Sequence, residues 1–273
     1  MLLLMVLGCA KLGGLEGLDA YKPTVKFDRL DLGAVTWQGA DADFRFTVTN
    51  PNPVAVKVAS FTYDLDLGGQ DFVQGDDDEG LTLSAKGDSA LAIPVSLKWA
   101  DVLSVAGELS GQDQVPFTIS GDFGFNTPLG TVKIPWKHEG ELPVLKAPGV
   151  SLQAARVAGL DIRTQTARLE VDLGLKNKGN SNLSFADLGY QLSLSGTQVA
   201  SGTVASVGGV SGGDTRTVTL PVDVELLKLG ASVVNAITKK EKIQVGVSAN
   251  VDVQTPLGTL PLAISEAGEL QLK

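Results

Sequence analysis

The chain has 273 residues, 43 % hydrophobic and 19 % charged, a balance that supports folded domains and excludes an intrinsically disordered polypeptide. Its net charge of −9, pI of about 4.7 and lack of any basic run set aside nucleic acid as a partner and make the surface at large a poor match for anionic lipid. One cysteine and one histidine leave no disulfide to form and no zinc site to build from Cys and His.

The chain opens on an apolar run, Leu2-Leu3-Leu4-Met5-Val6-Leu7, followed by Gly8-Cys9-Ala10. An apolar stretch, a small residue and then Cys resembles a bacterial lipoprotein signal. That reading makes residues 1–9 a signal segment, Cys9 the lipid attachment site and residues 10–22 a tether. The partner it implies is a membrane, held through the lipid on Cys9, with the bulk of the chain in the cell envelope outside the cytoplasm. Two departures stand against the pattern: no Lys or Arg precedes the run, and the run is short. A true start upstream of Met1 would account for both. The alternative is an unstructured apolar N-terminus with an incidental thiol. No later apolar run approaches the ~20 residues a spanning helix needs.

From Pro23 onward alternation dominates. Phe44, Phe46 and Val48 share one parity, as do Phe61, Tyr63, Leu65 and Leu67, then Leu91, Ile93, Val95 and Leu97, then Val115, Phe117, Ile119, Phe123 and Phe125. Period two means strands with one face on a core and one in water. Asn50-Pro51-Asn52-Pro53, Gly68-Gly69 and Lys86-Gly87-Asp88 mark turns between them. Trp99 to Gly107 breaks the pattern with helical spacing, and Thr127-Pro128-Leu129-Gly130 reads as a hairpin tip. Lys146-Ala147-Pro148-Gly149 is a short linker, which favours a fixed arrangement of its flanking domains. Beyond it the same order returns. Leu169 to Leu175, Val218 to Val224 and Ile243 to Val253 alternate, and a helical segment from Glu225 to Ile237 ends beside Lys239-Lys240, where cations suit the helix dipole.

The return is a duplication. Tyr63-Asp64-Leu65-Asp66-Leu67 is answered by Tyr190-Gln191-Leu192-Ser193-Leu194, an offset of 127 (190 minus 63). Asn50 maps on Asn177, Gly75 on Gly202 and Pro94 on Pro221 at that offset, and Thr127-Pro128-Leu129-Gly130-Thr131 recurs at Thr255 with one residue more. A period this long is a whole domain. The chain is therefore all-β: two tandem fibronectin- or immunoglobulin-like β-sandwiches, residues 23–145 and 150–273, each with one short α-helix expected to plug an open end.

These residues resemble the type 2 late embryogenesis abundant family, also called the water stress and hypersensitive response domain. The resemblance rests on Phe44-Arg45-Phe46-Thr47-Val48-Thr49-Asn50-Pro51-Asn52, on the Tyr-x-Leu-x-Leu strand after it, and on the closing hairpin through Thr127-Pro128-Leu129-Gly130. It covers both copies, although Asn177-Lys178-Gly179-Asn180 keeps the first Asn and loses the Pro. It implies a fibronectin-like sandwich with a helix and a stress- or desiccation-associated role. The turn residues Asn50, Pro51, Asn52 and Asn177 are read as structural, since Pro51 fixes φ and Asn side chains bond nearby backbone groups.

Little chemistry is on offer. His138 lies beside Lys137 and Glu139, where a solvated residue is expected, and no nucleophile elbow accompanies it. Asp76-Asp77-Asp78-Glu79 concentrates carboxylates but lacks the spacing of a calcium loop and reads as a solvated acidic segment. Trp37, Trp99 and Trp136 all fall in the first copy and read as core or sandwich-end residues, with Trp37 the one that could be exposed. The expectation is a non-enzymatic envelope lipoprotein without cofactor or metal, whose protein partner or ligand is unknown. Two alternatives stay open: a carrier of an apolar ligand or lipid within the sandwich, and a membrane-tethered structural or adhesion scaffold.

Overall fold

The structure is a computed structural model, and it describes residues 22–77, 82–105, 113–127 and 130–273. Cys9 and all but the last residue of the expected tether lie outside these residues, as do Asp78 and Glu79 and the tip residues Pro128 and Leu129.

The first copy runs β1 (Thr24–Leu32), β2 (Gly39–Asn50), β3 (Val56–Leu67), β4 (Gln70–Asp77), β5 (Thr82–Leu83), β6 (Gly87–Lys98), α1 (Trp99–Val105), β7 (Gln114–Thr127) and β8 (Gly130–Pro143). The second runs β9 (Gly149–Asp161), β10 (Thr166–Lys176), β11 (Leu183–Phe185), β12 (Leu188–Leu194), β13 (Thr197–Val204), β14 (Gly208–Val210), β15 (Thr215–Glu225), α2 (Ala231–Lys239), β16 (Lys242–Thr255) and β17 (Gly258–Gln271). In each copy a three-stranded sheet, β1-β2-β6 or β9-β10-β15, accompanies a larger one. The larger sheet of the first copy is β4-β3-β7-β8 with β5 on β3; that of the second is built from β11 to β14, β16 and β17. The fold is all-β, two antiparallel sandwiches with one short α-helix each. By compactness the chain divides into a unit of residues up to Gly33, Asp41–Ser96 and Pro116–Gly140, and a unit of Ala34–Ala40, Leu97–Val115 and Glu141–Lys273.

Alternation translates directly into burial. Phe44, Phe46, Val48, Leu65, Leu67, Ile93, Val95, Leu97, Phe117, Ile119, Phe123 and Phe125 are all buried, as are Leu169 to Leu175, Val218 to Val224 and Ile243 to Val253 at every second position. Across the first sandwich Phe44 meets Phe117 edge-on at 5.3 Å and Phe46 meets Trp136 at 4.7 Å, joining β2 to β7 and β8. These edge-to-face contacts add to the area each ring removes from water. Among the described residues the second core is aliphatic, with Phe185 and Tyr190 its only buried aromatics.

Two-residue hairpins join β3 to β4 and β12 to β13. Gly68 and Gly69 have φ of 61° and 82°, Ser195 and Gly196 of 47° and 82°. Positive φ at both central residues is the turn whose twist matches the strands it connects. A register shift between Val58 and Ser60 reconciles buried Val58 with the odd parity that starts at Phe61.

The second helical segment differs from its expected span. Glu225 is the last residue of β15, Leu226–Lys228 form a 3₁₀ turn, and α2 begins only after Gly230. Leu229 is extended, so one continuous helix is replaced by two pieces. Val233, Ala236 and Ile237 bury the inner face of α2, at the i, i+3, i+4 spacing of one helical stripe. Lys240 then adopts φ 55°, and Glu241 N–H bonds Ala236 C=O at 2.8 Å, a C-terminal cap more often given to glycine.

Candidate functional site

Among the described residues only two polar side chains are fully buried, Asn50 and Asn177. Each ends the central strand of its three-stranded sheet or directly follows it. The Asn50 carboxamide donates through Nδ2 to Val54 C=O at 2.9 Å and Ser84 C=O at 3.0 Å, with Leu83 C=O at 3.4 Å. Its Oδ1 accepts from Asn52 N–H at 3.0 Å and from Asn52 Nδ2 at 2.8 Å. Asn177 Nδ2 donates to Ser181 C=O at 2.7 Å and Val210 C=O at 3.1 Å, and its Oδ1 accepts from Gly179 N–H at 3.0 Å.

The partners correspond residue for residue at the 127 offset: Val54 with Ser181, Leu83 with Val210, Asn52 with Gly179. The backbone follows suit. Lys86 N–H bonds Asn52 C=O at 2.8 Å, and Gly213 N–H bonds Gly179 C=O at 3.0 Å. A carboxamide offers two donors and an acceptor oxygen; here the donors go to backbone carbonyls and the oxygen to a backbone N–H, joined in the first copy by the Asn52 side chain. The arrangement clips the turn after the central strand to the segment entering the next one. It leaves no polar atom of Asn50 or Asn177 for a ligand. Pro51 is exposed, supplies a fixed φ and is replaced by Lys178 in the second copy. Within the second unit Asp113 adds to the clip, since its carboxylate accepts from Asn180 N–H at 2.8 Å and from Ser181 Oγ.

His138 is half-buried, less solvated than its charged neighbours suggested. It shares the inward parity of Trp136, its ring stacks on Phe27 at 3.7 Å, and Phe117 lies 6.0 Å away. Burial holds its pKa below the ordinary imidazole value, with Glu139 pulling weakly the other way. That parity was the available signal. Trp99 and Trp136 are buried, with Trp99 Nε1 bonded to Thr36 C=O at 2.9 Å. Trp37 is half-buried and donates through Nε1 to Pro261 C=O at 3.0 Å.

The carboxylates that do come together are Asp64, Asp66 and Asp71, with oxygens within 4.8 Å of one another. They flank the Gly68-Gly69 turn, and Asp66 and Asp71 are cross-strand partners. Burial, the Asp64 charge and the Asp71 contact all raise the Asp66 pKa. These are the residues with the donor chemistry for a cation, and sequence reasoning passed over them for Asp76, which is exposed. Cross-strand pairing made the group, so only the hairpin register could have revealed it.

The model of the late embryogenesis abundant protein family, type 2, matches residues 45–140 and again residues 172–268, more than half of the chain. The chain belongs to that family. The matched stretches begin within β2 and within β10, and the second begins five residues before Asn177. None of the curated proteins matches the chain. Similar solved structures include a protein from Archaeoglobus fulgidus, 14 % identical with a TM-score of 0.35, covering 44 % of this chain and 95 % of that one. At1g01470 from Arabidopsis thaliana is 20 % identical with a TM-score of 0.38, covering 44 % of this chain and 80 % of its own. At2g46140.1, a chain assigned to the late embryogenesis abundant proteins, is 24 % identical with a TM-score of 0.39, covering 48 % and 77 %.

Proposed function

We propose that this tandem type 2 late embryogenesis abundant protein is non-enzymatic and acts in stress or desiccation by binding or shielding other surfaces from the cell envelope, tethered through a lipid on Cys9. The observation that carries the non-enzymatic part is the fate of its polar interior. Asn50 and Asn177 are consumed by backbone hydrogen bonds, and His138, the chain's one histidine, is stacked on Phe27 beside Phe117. A general base needs a proton-bearing partner within hydrogen-bond reach, and one face of this half-buried ring is already covered by Phe27. Membership of the family supports the stress-associated role.

Two measurements test the two halves. A labile reporter enzyme dried with the full chain should keep more activity than with an equal mass of an inert globular protein; equal loss would sink the protective role. Metabolic labelling with a radioactive fatty acid should mark the wild type and not Cys9→Ser. Equal labelling of the two would remove the lipid anchor.

A further inference from the structure

The geometry points to a second membrane contact, independent of Cys9: the tip of the second sandwich is a docking surface for an anionic lipid bilayer. Leu227 and Ile162 are the two most exposed large hydrophobic side chains among the described residues, at 80 % and 77 %. Ile162 crowns the β9–β10 hairpin and Leu227 the 3₁₀ turn, and Leu226 N–H bonds Gln165 C=O at 2.8 Å, so the two segments are held together. Between them lies an open groove of about 490 Å³ lined by Ile162, Leu226, Leu227, Leu229, Val234 and Thr238.

Cations adjoin the residues of this apolar tip in sequence. Arg163 follows Ile162, Lys228 follows Leu227, and Lys239 and Lys240 close α2 directly after Thr238. Three carboxylates lie among these cations, Asp161, Glu225 and Glu241. Asp161 Oδ1 accepts the N–H groups of Arg163 at 2.8 Å and Thr164 at 3.1 Å, and Glu225 pairs with Lys228 at 3.0 Å. Glu241 is the remaining acid beside the two lysines. On a chain of net charge −9, four cations against three carboxylates beside protruding aliphatic side chains leave a local excess of one positive charge. Aliphatic side chains that enter the acyl boundary, with Lys and Arg left at head-group level, are what a bilayer surface recognises. A free apolar molecule in so open a groove would keep one side wet, so the surface fits a bilayer better than a carried ligand. The feature is not common to both copies: at the 127 offset Ile162 answers to half-buried Val35 and Leu227 to Ala100.

The test uses the full chain as Cys9→Ser, so that no acyl chain contributes, in flotation with vesicles of phosphatidylcholine alone and of an equimolar phosphatidylcholine and phosphatidylglycerol mixture. Binding to the anionic vesicles only, weakened by salt, is expected. Ile162→Glu with Leu227→Glu should lower the vesicle partition constant at least about tenfold, and Lys239→Glu with Lys240→Glu by roughly tenfold. The exposed Val54→Glu with Val132→Glu should leave it unchanged, and circular dichroism checks that each variant folds. No binding, equal binding to both vesicle types, unaltered binding of the tip variant, or equal loss in the Val54 and Val132 control would each overturn the inference. So would light scattering that shows a dimer dissolved by the tip variant, which would make the surface a contact between two copies of the chain.

Discussion

Asn50 sits in Asn-Pro-Asn-Pro and Asn177 in Asn-Lys-Gly-Asn, yet both carboxamides reach the same three backbone positions in their own sandwich. The difference lies in how the chain is brought to that geometry. In the first copy Pro51 restricts the backbone and Asn52 adds a side-chain donor at 2.8 Å. In the second, Gly179 and Gly213 relax it, and Gly213 has φ 79° where the equivalent Lys86 holds φ 49°. The retained quantity is the buried amide, and the surrounding letters are interchangeable solutions to one conformational problem.

The strongest way to break that equivalence is to remove the amide. Asn177→Ala removes the partner of two carbonyls and an N–H, of which the Val210 contact is buried and the others part-buried, and Asn50→Ala removes at least as many. Each change should cost about 2–4 kcal/mol, from roughly 1 kcal/mol or more per buried group left unpaired. Hydrogen exchange read peptide by peptide should show the loss confined to the mutated copy. Replacing Pro51 by Lys, the residue of the second copy, should change stability far less. If Pro51→Lys proved as damaging as Asn50→Ala, rigidity of the turn and not the amide would be the retained quantity.

A second difference concerns the glycine opposite each tyrosine. Gly75 faces Tyr63 and Gly202 faces Tyr190 in the hairpin registers. A Cβ on Gly75 would lie 2.5 Å from the Tyr63 ring, and one on Gly202 2.6 Å from the Tyr190 hydroxyl. Both glycines exist because a ring lies across them. Tyr190 is buried and its hydroxyl bonds Pro221 C=O, whereas Tyr63 is half-exposed. Gly202→Ala should therefore cost about 1–3 kcal/mol, the range for overpacking a side chain that cannot move. Gly75→Ala should cost well below that, because the Tyr63 ring can swing outward. Equal losses in thermal denaturation would show that Tyr63 is as fixed as Tyr190.

Much of this was legible beforehand, and what was missed has a common cause. Period-two burial, the 127-residue repeat and the pairing of Asn50 with Asn177 follow from the order of side chains alone. Gly75 and Gly202 were visible as a repeated pair, but their reason required knowing which residue each one faces. His138 reads as solvated beside its charged neighbours, while the sheet leaves it half-buried with its ring on Phe27. The break at Leu229 and Gly230 escaped because an apolar spacing of Leu226, Leu227, Leu229 and Val233 satisfies a helical pattern whether or not the backbone stays helical. Contacts made by register across a hairpin or between sheets are the ones a linear reading leaves out.

The acidic trio is the clearest contact of that kind and the subtlest contrast between the copies. Asp64, Asp66 and Asp71 answer to Gln191, Ser193 and Gln198, so the same hairpin is charged in the first copy and neutral in the second. The Asp66 pKa is raised, chiefly by burial and then by its two acidic neighbours. A raised carboxyl pKa in the fold means that folding favours the protonated form. Asp66 therefore costs nothing at low pH, and its cost grows as pH rises through the ordinary carboxylate range to the raised value. Asp66→Asn should stabilise the first copy at neutral pH by roughly 0.5 kcal/mol, the scale of one unfavourable cross-strand pair. The gain should fade as pH falls below the ordinary carboxylate range, and hydrogen exchange of the β3 and β4 peptides at several pH values would follow it. Ser193→Asp, with no carboxylate opposite it, should destabilise its hairpin less than Asp66 does its own. A gain from Asp66→Asn that stayed constant down to acid pH would assign the effect to packing at residue 66 and not to charge.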